Sequence, residues 1–317
     1  MDVMTLGESM ALFTPKIKGY MRYASDFTVK VAGAESNVAI GLARLEYRSA
    51  WLSRLGNDEF GKKILMYIRG EGVDVSQVHI DESASTGLYF KEMLTYDEMR
   101  VQYYRKNSAA SRMKPSDLNE EYIASAKFLH ITGITPALSE SCYETVMKAV
   151  EIAKRNGVTI VFDPNLRRKL WSEEKARQAL LEVSAKADIV LPGIDEAEFL
   201  FGQSDTETLA RQLYKHGASI VVLKMGSNGA FYLSEKEQGH VPGFPVKHVV
   251  DPVGAGDGFA TGFLSGLLDG LELEKSVKRG AAVGALVTMV KGDVEGLPDR
   301  SRLNSFIKGE TKVDVIR

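Results

Sequence analysis

A glycine-rich segment that ends in a carboxylate carries the strongest chemical signal in the sequence. Residues 251–260 read DPVGAGDGFA, so Gly254, Ala255 and Gly256 directly precede Asp257. If this segment opens a helix, its backbone N–H groups can converge on an anion, because no bulky side chain covers them. A neighbouring carboxylate could then take a proton from a hydroxyl while the amides hold a transferring phosphoryl group. The same spacing also fits an ordinary turn in which Asp257 caps a helix.

Alternating strands and helices must position this segment. Continuous β-branched apolar runs predict strands at 3–6, 50–55, 127–131, 158–162, 188–191 and 220–223. Helical patterns lie between the later runs, at 139–156, 172–185 and 206–216. Strands that are apolar throughout and are joined by helices predict an α/β fold, a doubly wound and mostly parallel sheet with helices on both faces.

Polar side chains and glycines follow the predicted strands, where open α/β sheets bind their ligands. They are Glu8, Gly133, Asp163, Asn165, Arg167, Asp195, Glu198, Lys224 and Gly226. The sequence contains neither the G-x-x-x-x-G-K-[ST] phosphate loop nor the protein-kinase motifs, so phosphoryl transfer would need another nucleotide-binding fold.

A different pattern interrupts the N-terminal third of the chain. Residues 86–94 and 100–106 are rich in β-forming residues and flank the polar turn 95–98, which predicts an antiparallel hairpin. Short strands at 12–13 and 27–31 could join it. We therefore expect a small second sheet beside the main body.

Composition narrows the function classes. The 317 residues carry 40 Lys and Arg against 42 Asp and Glu, a formal net charge of −2. This balance argues against nucleic-acid binding and against a polybasic membrane protein, since both need a basic surplus. Cys142 is the single cysteine, so it cannot form an internal disulfide. No apolar run reaches the roughly 18 residues of a membrane span. The first residues lack the basic start of a signal peptide. We expect a cytoplasmic enzyme.

Two signatures give the chain a family resemblance. Residues 251–257 resemble the C-terminal signature of the ribokinase-like (pfkB-type) carbohydrate kinases, 32–39 (AGAESNVA) resemble the other signature, and 55–61 (LGNDEFG) follow in family order. The resemblance implies one kinase domain over 1–317, with lid strands inserted at about 10–31 and 86–106. It also implies ATP-dependent phosphorylation of a sugar hydroxyl, Mg²⁺ as cofactor and a homo-oligomer, and it leaves a monovalent-cation requirement open. The residue roles that it implies are Asp257 as base, Gly254, Ala255 and Gly256 as anion hole, and Gly33, Ala34 and Asn37 as sugar contacts.

The resemblance extends to the nucleotide and the metal. Residues 224–229 (KMGSNG) resemble the segment that lines the nucleotide pocket, and 280–285 (GAAVGA) resemble the helix beside the adenine, although small residues also suit close helix packing. The implied nucleotide contacts are Lys224, Gly226, Ser227, Gly229, Gly254, Gly256, Ala281 and Ala285. The family's Asn-x-x-Glu motif for Mg²⁺ is matched to residues 195–198 (DEAE), which implies Glu198, and Asp195 through water, as metal residues.

Two arginines bear on the choice of sugar. Tyr103 and Arg105 share one face of a predicted strand, Tyr89 could lie across from them, and Arg167 follows a different strand. Converging arginines would suit a substrate carboxylate, or they could pair with protein carboxylates such as Asp163 or Glu35.

The segments 100–111, 129–138 and 163–171 resemble the 2-keto-3-deoxygluconate kinases of this family. This implies a sugar-acid substrate that is phosphorylated at its terminal hydroxyl to 2-keto-3-deoxy-6-phosphogluconate. The residues matched to its binding are Tyr89, Tyr103, Arg105, Arg167 and Asp251, beside Gly33 and Ala34. Fructokinase or another sugar kinase is the alternative, and a non-catalytic sugar- or nucleotide-binding regulator is a further one.

Overall fold

The computed structural model describes residues 1–95 and 98–309. Its strands, in chain order, are β1 (Val3–Leu6), β2 (Met10–Pro15), β3 (Phe27–Ala32), β4 (Ser49–Gly56), β5 (Val78–Asp81), β6 (Leu88–Met93), β7 (Met99–Tyr104), β8 (Phe128–Thr132), β9 (Thr159–Asp163), β10 (Ile189–Val190), β11 (Ile220–Lys224), β12 (Ala230–Ser234) and β13 (Gln238–Val241). Its α-helices are α1 (Ala34–Arg44), α2 (Glu59–Gly70), α3 (Glu120–Ala124), α4 (Glu140–Arg155), α5 (Glu173–Ser184), α6 (Ile194–Phe201), α7 (Thr206–His216), α8 (Ala255–Leu268), α9 (Leu273–Thr288) and α10 (Arg300–Ile307). None of the helices in these two ranges is long and apolar enough to cross a lipid bilayer.

The larger of two sheets has nine strands in the order β13-β12-β11-β10-β9-β8-β1-β4-β5. From β11 to β5 every neighbouring pair is parallel, whereas β12 and β13 form an antiparallel edge. The predicted α/β class and mostly parallel sheet are confirmed, and each predicted strand of this sheet lies within about two residues of its expected position.

Helices cover both faces of the large sheet. Ile160 and Phe162 of β9 pack into the cluster that contains Val146 of α4, while Val161 packs into the opposite cluster with Phe263 of α8. Successive strand side chains point to opposite faces, so a strand covered on both sides is apolar at consecutive positions. This packing explains the uninterrupted apolar runs in the sequence.

The smaller sheet has four strands in the order β3-β2-β6-β7. β6 and β7 are antiparallel, as the predicted hairpin requires, and β2 pairs with β3 on one side and with β6 on the other. The polar turn of the hairpin lies partly outside the described residues, since residues 96–97 are not among them. The small sheet is therefore built from the two inserted stretches in which its strands were expected.

Helix α8 begins earlier than the sequence indicates. We expect a start near Asp257, but the helix begins at Ala255, and Gly254 is its N-cap with a left-handed φ of +82°. Asp257 is thus the third helical residue rather than the cap, so the simple capping interpretation of this carboxylate is wrong. Its side chain is left free for other contacts.

Candidate active site

A cavity of about 300 Å³ lies between the small sheet and the carboxyl ends of the central strands of the large sheet. Residues from both sequence signatures line it together, although they are far apart in the chain. The expected site residues that line this cavity are Gly33, Ala34, Asn37, Tyr89, Tyr103, Arg105, Arg167, Lys224, Gly254, Gly256 and Asp257. The polar side chains that follow the parallel strands do meet at one edge of the sheet, as the sequence indicates.

Other expected site residues lie outside the cavity wall. They are Asp195, Glu198, Gly226, Ser227, Gly229, Asp251, Ala255, Ala281 and Ala285. Gly226 and Ser227 are exposed in the turn after β11. Ala281 is buried on α9 and Ala285 is partly exposed, and a Cβ on the neighbouring Gly284 would come within 3.1 Å of the Ala255 carbonyl oxygen. Close packing of α8 on α9 therefore accounts for the small residues at 280–285.

Asp257 is held by a side chain from the other end of the chain. Nδ2 of Asn37, on α1, donates a hydrogen bond of 2.8 Å to Oδ2 of Asp257. Burial raises the pKa of Asp257 to about 7; the hydrogen bond from Asn37 opposes this rise, while the carboxylates of Asp163 and Asp293 reinforce it. A carboxylate with this pKa is a far better proton acceptor than an ordinary aspartate, whose pKa is 3.8.

The start of α8 has the properties of an anion site. No side chain caps the first turn; the N–H of Ala255 donates to the carbonyl oxygen of Pro252 at 3.4 Å, whereas those of Gly256 and Asp257 have no acceptor among the described residues and lie at the positive end of the helix dipole. Gly254 has to be glycine, because its φ is +82° and a Cβ there would lie 2.7 Å from the carbonyl oxygen of Asp293. Nζ of Lys224 lies 3.6 Å from the position of a Cβ on Gly256, so an ammonium group adjoins the same turn.

The carboxylates that face the cavity near Lys224 differ from the pair that the sequence pattern assigns to a metal. Nζ of Lys224 forms a 2.5 Å ion pair with Oδ2 of Asp163. The carboxylate of Glu196 lines the cavity beside this pair. Burial, then repulsion from Asp163, raises the pKa of Glu196. Burial acts to lower the pKa of Lys224, but Asp163 and Glu196 outweigh it and the pKa is raised, so the ammonium is retained. Glu196, rather than Asp195 or Glu198, is the residue of this helix that reaches the site.

The position at which α6 begins decides which of its acidic residues faces the cavity. Oε2 of Glu196 accepts a 2.8 Å hydrogen bond from the backbone N–H of Gly193, which turns its side chain back toward the end of β10. Asp195 is exposed, and Glu198 lies two residues further on, about 200° around the helix. The signal that could have identified Glu196 is a glutamate three residues after the glycine that precedes a helix, which is a capping-box spacing.

Asp163 and Glu196 fit a divalent cation that shares its ligands with a nucleotide. Oδ1 of Asp163 is buried and has no hydrogen-bond partner among the described residues. Within the same part of the chain no cluster of three or more His, Cys, Asp or Glu side chains could hold a metal. Mg²⁺ is commonly bound by one or two carboxylates together with substrate phosphates and water. The donor set here suits that arrangement and does not suit an all-protein metal cage.

Of the two arginines that could bind a substrate carboxylate, Arg105 is paired with a protein carboxylate and Arg167 is not. Arg105 forms a buried ion pair with Glu8, whose other oxygen accepts a 2.6 Å hydrogen bond from Ser108. A protein carboxylate thus holds Arg105, and it is Glu8 rather than Asp163 or Glu35. Arg167 makes only long contacts with backbone oxygens at 3.5 Å and pairs with no carboxylate of the described residues. Among the described side chains that line the cavity, Arg167 is therefore the cation left open to a ligand.

Asp251 lies behind the cavity wall rather than in it. Its Oδ2 forms a 2.7 Å ion pair with Nζ of Lys91, a residue of β6 that does line the cavity. Both side chains are 7% exposed. Lys91 and the nearby Asp293 were not foreseen, because only the fold brings residues this distant in sequence together.

The floor of the cavity depends on another glycine. A Cβ on Gly33 would lie 2.4 Å from the carbonyl oxygen of Glu8 and 2.7 Å from Oγ of Ser9. Gly33 therefore allows the start of α1 to approach the segment between β1 and β2, and Asn37, the fourth residue of α1, donates to Asp257. This close contact explains why the first signature, residues 32–39, has a glycine at position 33.

A family model described as pfkB family carbohydrate kinase matches residues 2–300. The chain belongs to this family. A 2-dehydro-3-deoxygluconokinase of Bacillus subtilis (strain 168) is 42% identical over 99% of this chain and 97% of its own length, and one of Thermoproteus tenax is 36% identical over 97% and 94%. Probable fructokinase-3 of Arabidopsis thaliana is 34% identical over 98% and 92%. The protein is thus a carbohydrate kinase that binds ATP and a sugar.

Solved structures agree with this membership. A putative ribokinase II of E. coli, in complex with ATP and Mg²⁺, superposes with a TM-score of 0.91 at 28% identity, over 97% of this chain and 99% of that one. A 2-dehydro-3-deoxygluconokinase from Thermotoga maritima gives a TM-score of 0.89 at 25% identity, over 98% of both chains. The ribokinase-like fold of this pfkB kinase is therefore confirmed.

Proposed function

We propose that this kinase transfers the γ-phosphoryl group of ATP to the terminal hydroxyl of 2-keto-3-deoxygluconate (2-dehydro-3-deoxygluconate), giving 2-keto-3-deoxy-6-phosphogluconate. The observation that carries the proposal is Arg167, a guanidinium that lines the cavity without an ion-pair partner among the described residues. Such a cation favours a substrate with a carboxylate, which arginine binds through two parallel hydrogen bonds. The 42% identity to the Bacillus subtilis 2-dehydro-3-deoxygluconokinase supports the same substrate.

In the proposed reaction Asp257 accepts the proton of the attacking hydroxyl. Its neighbour Asn37 keeps Oδ2 in place through the 2.8 Å hydrogen bond, so the other carboxylate oxygen is free to face the sugar. The oxygen of the hydroxyl forms a bond to the γ-phosphorus, and the bond from phosphorus to the β–γ bridging oxygen breaks with its electron pair leaving on ADP. The proton on Asp257 then returns to solvent when the product leaves.

The protein supplies most of the charge stabilisation near the migrating group. The N–H groups of Gly256 and Asp257 in the first turn of α8, with the adjoining ammonium of Lys224, would hold the negative charge that spreads over the phosphoryl oxygens. Asp163 and Glu196 would hold Mg²⁺, which when bound screens the phosphates of ATP from each other. The small sheet acts as a lid that keeps water from competing with the sugar hydroxyl.

Fructose is the second candidate, and the Glu8–Arg105 pair is the observation that favours it. Because Glu8 neutralises Arg105 within the cavity, the wall near the small sheet presents less positive charge than two open arginines would. A neutral sugar fits such a wall better than it fits an unpaired arginine pair. The 34% identity to the Arabidopsis thaliana protein named as a probable fructokinase is consistent with this alternative.

A sugar panel decides between the candidates. The purified enzyme is assayed with ATP and Mg²⁺ on 2-keto-3-deoxygluconate, fructose, ribose and gluconate, and phosphorus NMR identifies the phosphorylated position. We expect kcat/KM to be highest for 2-keto-3-deoxygluconate, with the phosphate on its terminal oxygen. A higher kcat/KM for fructose would replace the proposed substrate, and no ADP release with any sugar would contradict kinase activity at this site.

We also propose that the enzyme is a homo-oligomer. The edge strand β7 exposes Met99, Tyr103 and Tyr104, of which Tyr104 is 54% exposed. An edge strand with apolar side chains is prone to pair with another chain unless something covers it. Light scattering should give at least twice the mass of one chain, and a monomeric mass at assay concentration would refute the proposal.

A further inference from the structure

Two residues of the small sheet reach the two carboxylates that flank Gly254. Tyr89 and Lys91 are two positions apart on β6, so their side chains lie on the same face of the strand. Nζ of Lys91 forms the 2.7 Å ion pair with Asp251, and the hydroxyl of Tyr89 donates a 3.3 Å hydrogen bond to Oδ2 of Asp293. One strand of the small sheet thus contacts both sides of the loop that leads into α8.

Asp251 in turn shapes that loop. Its Oδ1 accepts a 3.2 Å hydrogen bond from the backbone N–H of Val253, and its own N–H donates to the carbonyl oxygen of Thr288 at 3.2 Å. Gly254 follows directly, with its left-handed φ fitted against the backbone of Asp293. A displacement of Asp251 would therefore be transmitted within three residues to the N–H groups at the start of α8.

Stability alone does not account for the Lys91–Asp251 pair. Both side chains are 7% exposed, and for charges this deeply buried the loss of hydration cancels most of the attraction between them. The pair does have an electrostatic consequence at the site. Without the ammonium, the carboxylate of Asp251 would stand uncompensated beside the place where the transferring phosphoryl group gathers negative charge.

We propose that Lys91 is a positioning residue for phosphoryl transfer. Its ammonium holds Asp251, and through it the turn at Gly254 and Gly256, so the anion site is complete only when the small sheet lies over the cavity. Closure over the sugar and assembly of the phosphoryl site are thereby the same event. The inference rests on the proposed phosphoryl transfer at Asp257.

The test compares Lys91→Met, Lys91→Arg, Asp251→Asn and the double variant Lys91→Met/Asp251→Asn. We expect Lys91→Met to lower kcat by about 100-fold with little change in KM for the sugar, because a displacement of about 1 Å at the reacting groups costs that much. Lys91→Arg should recover most of the lost kcat, since it keeps the charge. The double variant should be no slower than the slower single variant, because the two residues act as one unit.

A second readout isolates the anion site from general stability. Binding of ADP with Mg²⁺ and aluminium fluoride, a mimic of the migrating phosphoryl group, should weaken in Lys91→Met, whereas binding of ADP with Mg²⁺ alone should not change. The matched control is Lys30→Met. It breaks a different lysine ion pair of the small sheet, the 2.6 Å contact with Glu295 in which the two side chains are 29% and 34% exposed, and should leave kcat at the wild-type value.

The outcomes separate this inference from the proposed function. Wild-type kcat in Lys91→Met, an equal loss in Lys30→Met, or multiplicative losses in the double variant would each overturn the positioning role. If Lys91→Met does not fold, Asp251→Asn tests the proposal instead, since an unchanged kcat in that variant would equally refute the positioning role of Lys91. A wild-type enzyme that phosphorylates no sugar would instead refute the proposed function itself.

Discussion

Asn37 and Asp257 are 220 residues apart in the chain, yet Nδ2 of Asn37 lies 2.8 Å from Oδ2 of Asp257. This hydrogen bond joins the first signature of the sequence to the second and fixes one oxygen of the proposed base. It also opposes the rise in pKa that burial and the carboxylates of Asp163 and Asp293 impose on Asp257. The pair therefore orients the carboxylate of the proposed base and limits the rise of its pKa.

Replacement of the base should abolish most of the turnover while the ligands still bind. We expect Asp257→Asn to lower kcat by roughly 10²–10⁴-fold, the usual contribution of a positioned general base, with KM values for sugar and ATP nearly unchanged. Steady-state kinetics with the best sugar of the panel measures both constants. Ser265→Ala, further along the same helix and outside the cavity, is the control for damage to α8. Turnover near the wild-type rate in Asp257→Asn would remove this residue from its assigned role.

The pH dependence follows from the sign of the pKa shift. Asp257 accepts a proton only when it is ionised, and burial raises its pKa to about 7. The value of kcat/KM should therefore rise with pH, about tenfold per unit below pH 7, and level off above it. Asn37→Ala removes an interaction that lowers this pKa, so its midpoint should move to higher pH. Ser36→Ala, which removes a hydroxyl bonded to Ser9 instead, should keep the wild-type midpoint, and a shift of equal size there would contradict the argument.

The free energy of unfolding should also depend on the ionisation of Asp257, but it should fall as pH rises, whereas kcat/KM rises. The folded protein holds a proton on Asp257 up to about pH 7, whereas the unfolded chain releases it near its ordinary pKa of 3.8. The folded state thus binds more protons in this window, and the contribution of Asp257 to the free energy of unfolding falls as pH rises from about 4 to 7. Asp257→Asn should have a higher Tm than the wild type at pH 8 and lose that advantage at pH 4. Thermal unfolding followed by circular dichroism measures it, and a Tm difference independent of pH would be evidence against a buried, easily protonated carboxyl.

Arg167 should discriminate between acidic and neutral sugars. Loss of a charge-assisted hydrogen-bonded contact costs about 10- to 100-fold in kcat/KM, so Arg167→Ala should lose that much on 2-keto-3-deoxygluconate and change little on fructose. Arg167→Lys keeps the charge without the planar fork and should fall between the two. The matched control is Arg168→Ala, whose guanidinium pairs with Glu173 at 2.9 Å instead of facing the cavity. Equal losses on both sugars in Arg167→Ala would refute the carboxylate contact.

The sequence predicts the parts of this molecule that follow from local patterns. Uninterrupted apolar runs indicate the parallel strands, and glycines beside a carboxylate indicate the turn before α8, because both reflect constraints that act within a few residues. The partners of the charged residues were not predictable in the same way. Arg105 could have paired with any nearby carboxylate, and only the strand order brings Glu8 beside it rather than Glu35.

The proposed metal residues show why the sequence pattern and the structure favour different glutamates. The Asn-x-x-Glu motif can be matched to this segment in two ways, because it contains two glutamates, Glu196 and Glu198. The match that ends at Glu198 places the acidic Asp195 at the position of the asparagine, whereas the match that ends at Glu196 places Gly193 there. The choice depends on where α6 begins, and a helix start is uncertain by one or two residues when it is inferred from sequence. With the helix starting at Ile194, Glu196 faces the end of β10 and Glu198 does not.

This register makes a sharp prediction about the divalent cation. Removal of a carboxylate that holds or orients bound Mg²⁺ typically weakens metal affinity about 10- to 100-fold, so Glu196→Gln should raise the Mg²⁺ concentration for half-maximal activity by that factor at fixed ATP. Gln keeps the shape of the side chain but can accept from only one of the two backbone N–H groups that Glu196 binds, those of Gly193 at 2.8 Å and Leu166 at 2.7 Å, so the Tm of Glu196→Gln is measured beside the Mg²⁺ titration to separate metal affinity from fold stability. Asp195→Asn and Glu198→Gln are the matched controls, one position before and two positions after it on the same helix, and both should titrate with Mg²⁺ as the wild type does. A larger shift in Glu198→Gln than in Glu196→Gln would restore the sequence-based register, since it would mean that the cation draws on the other face of α6.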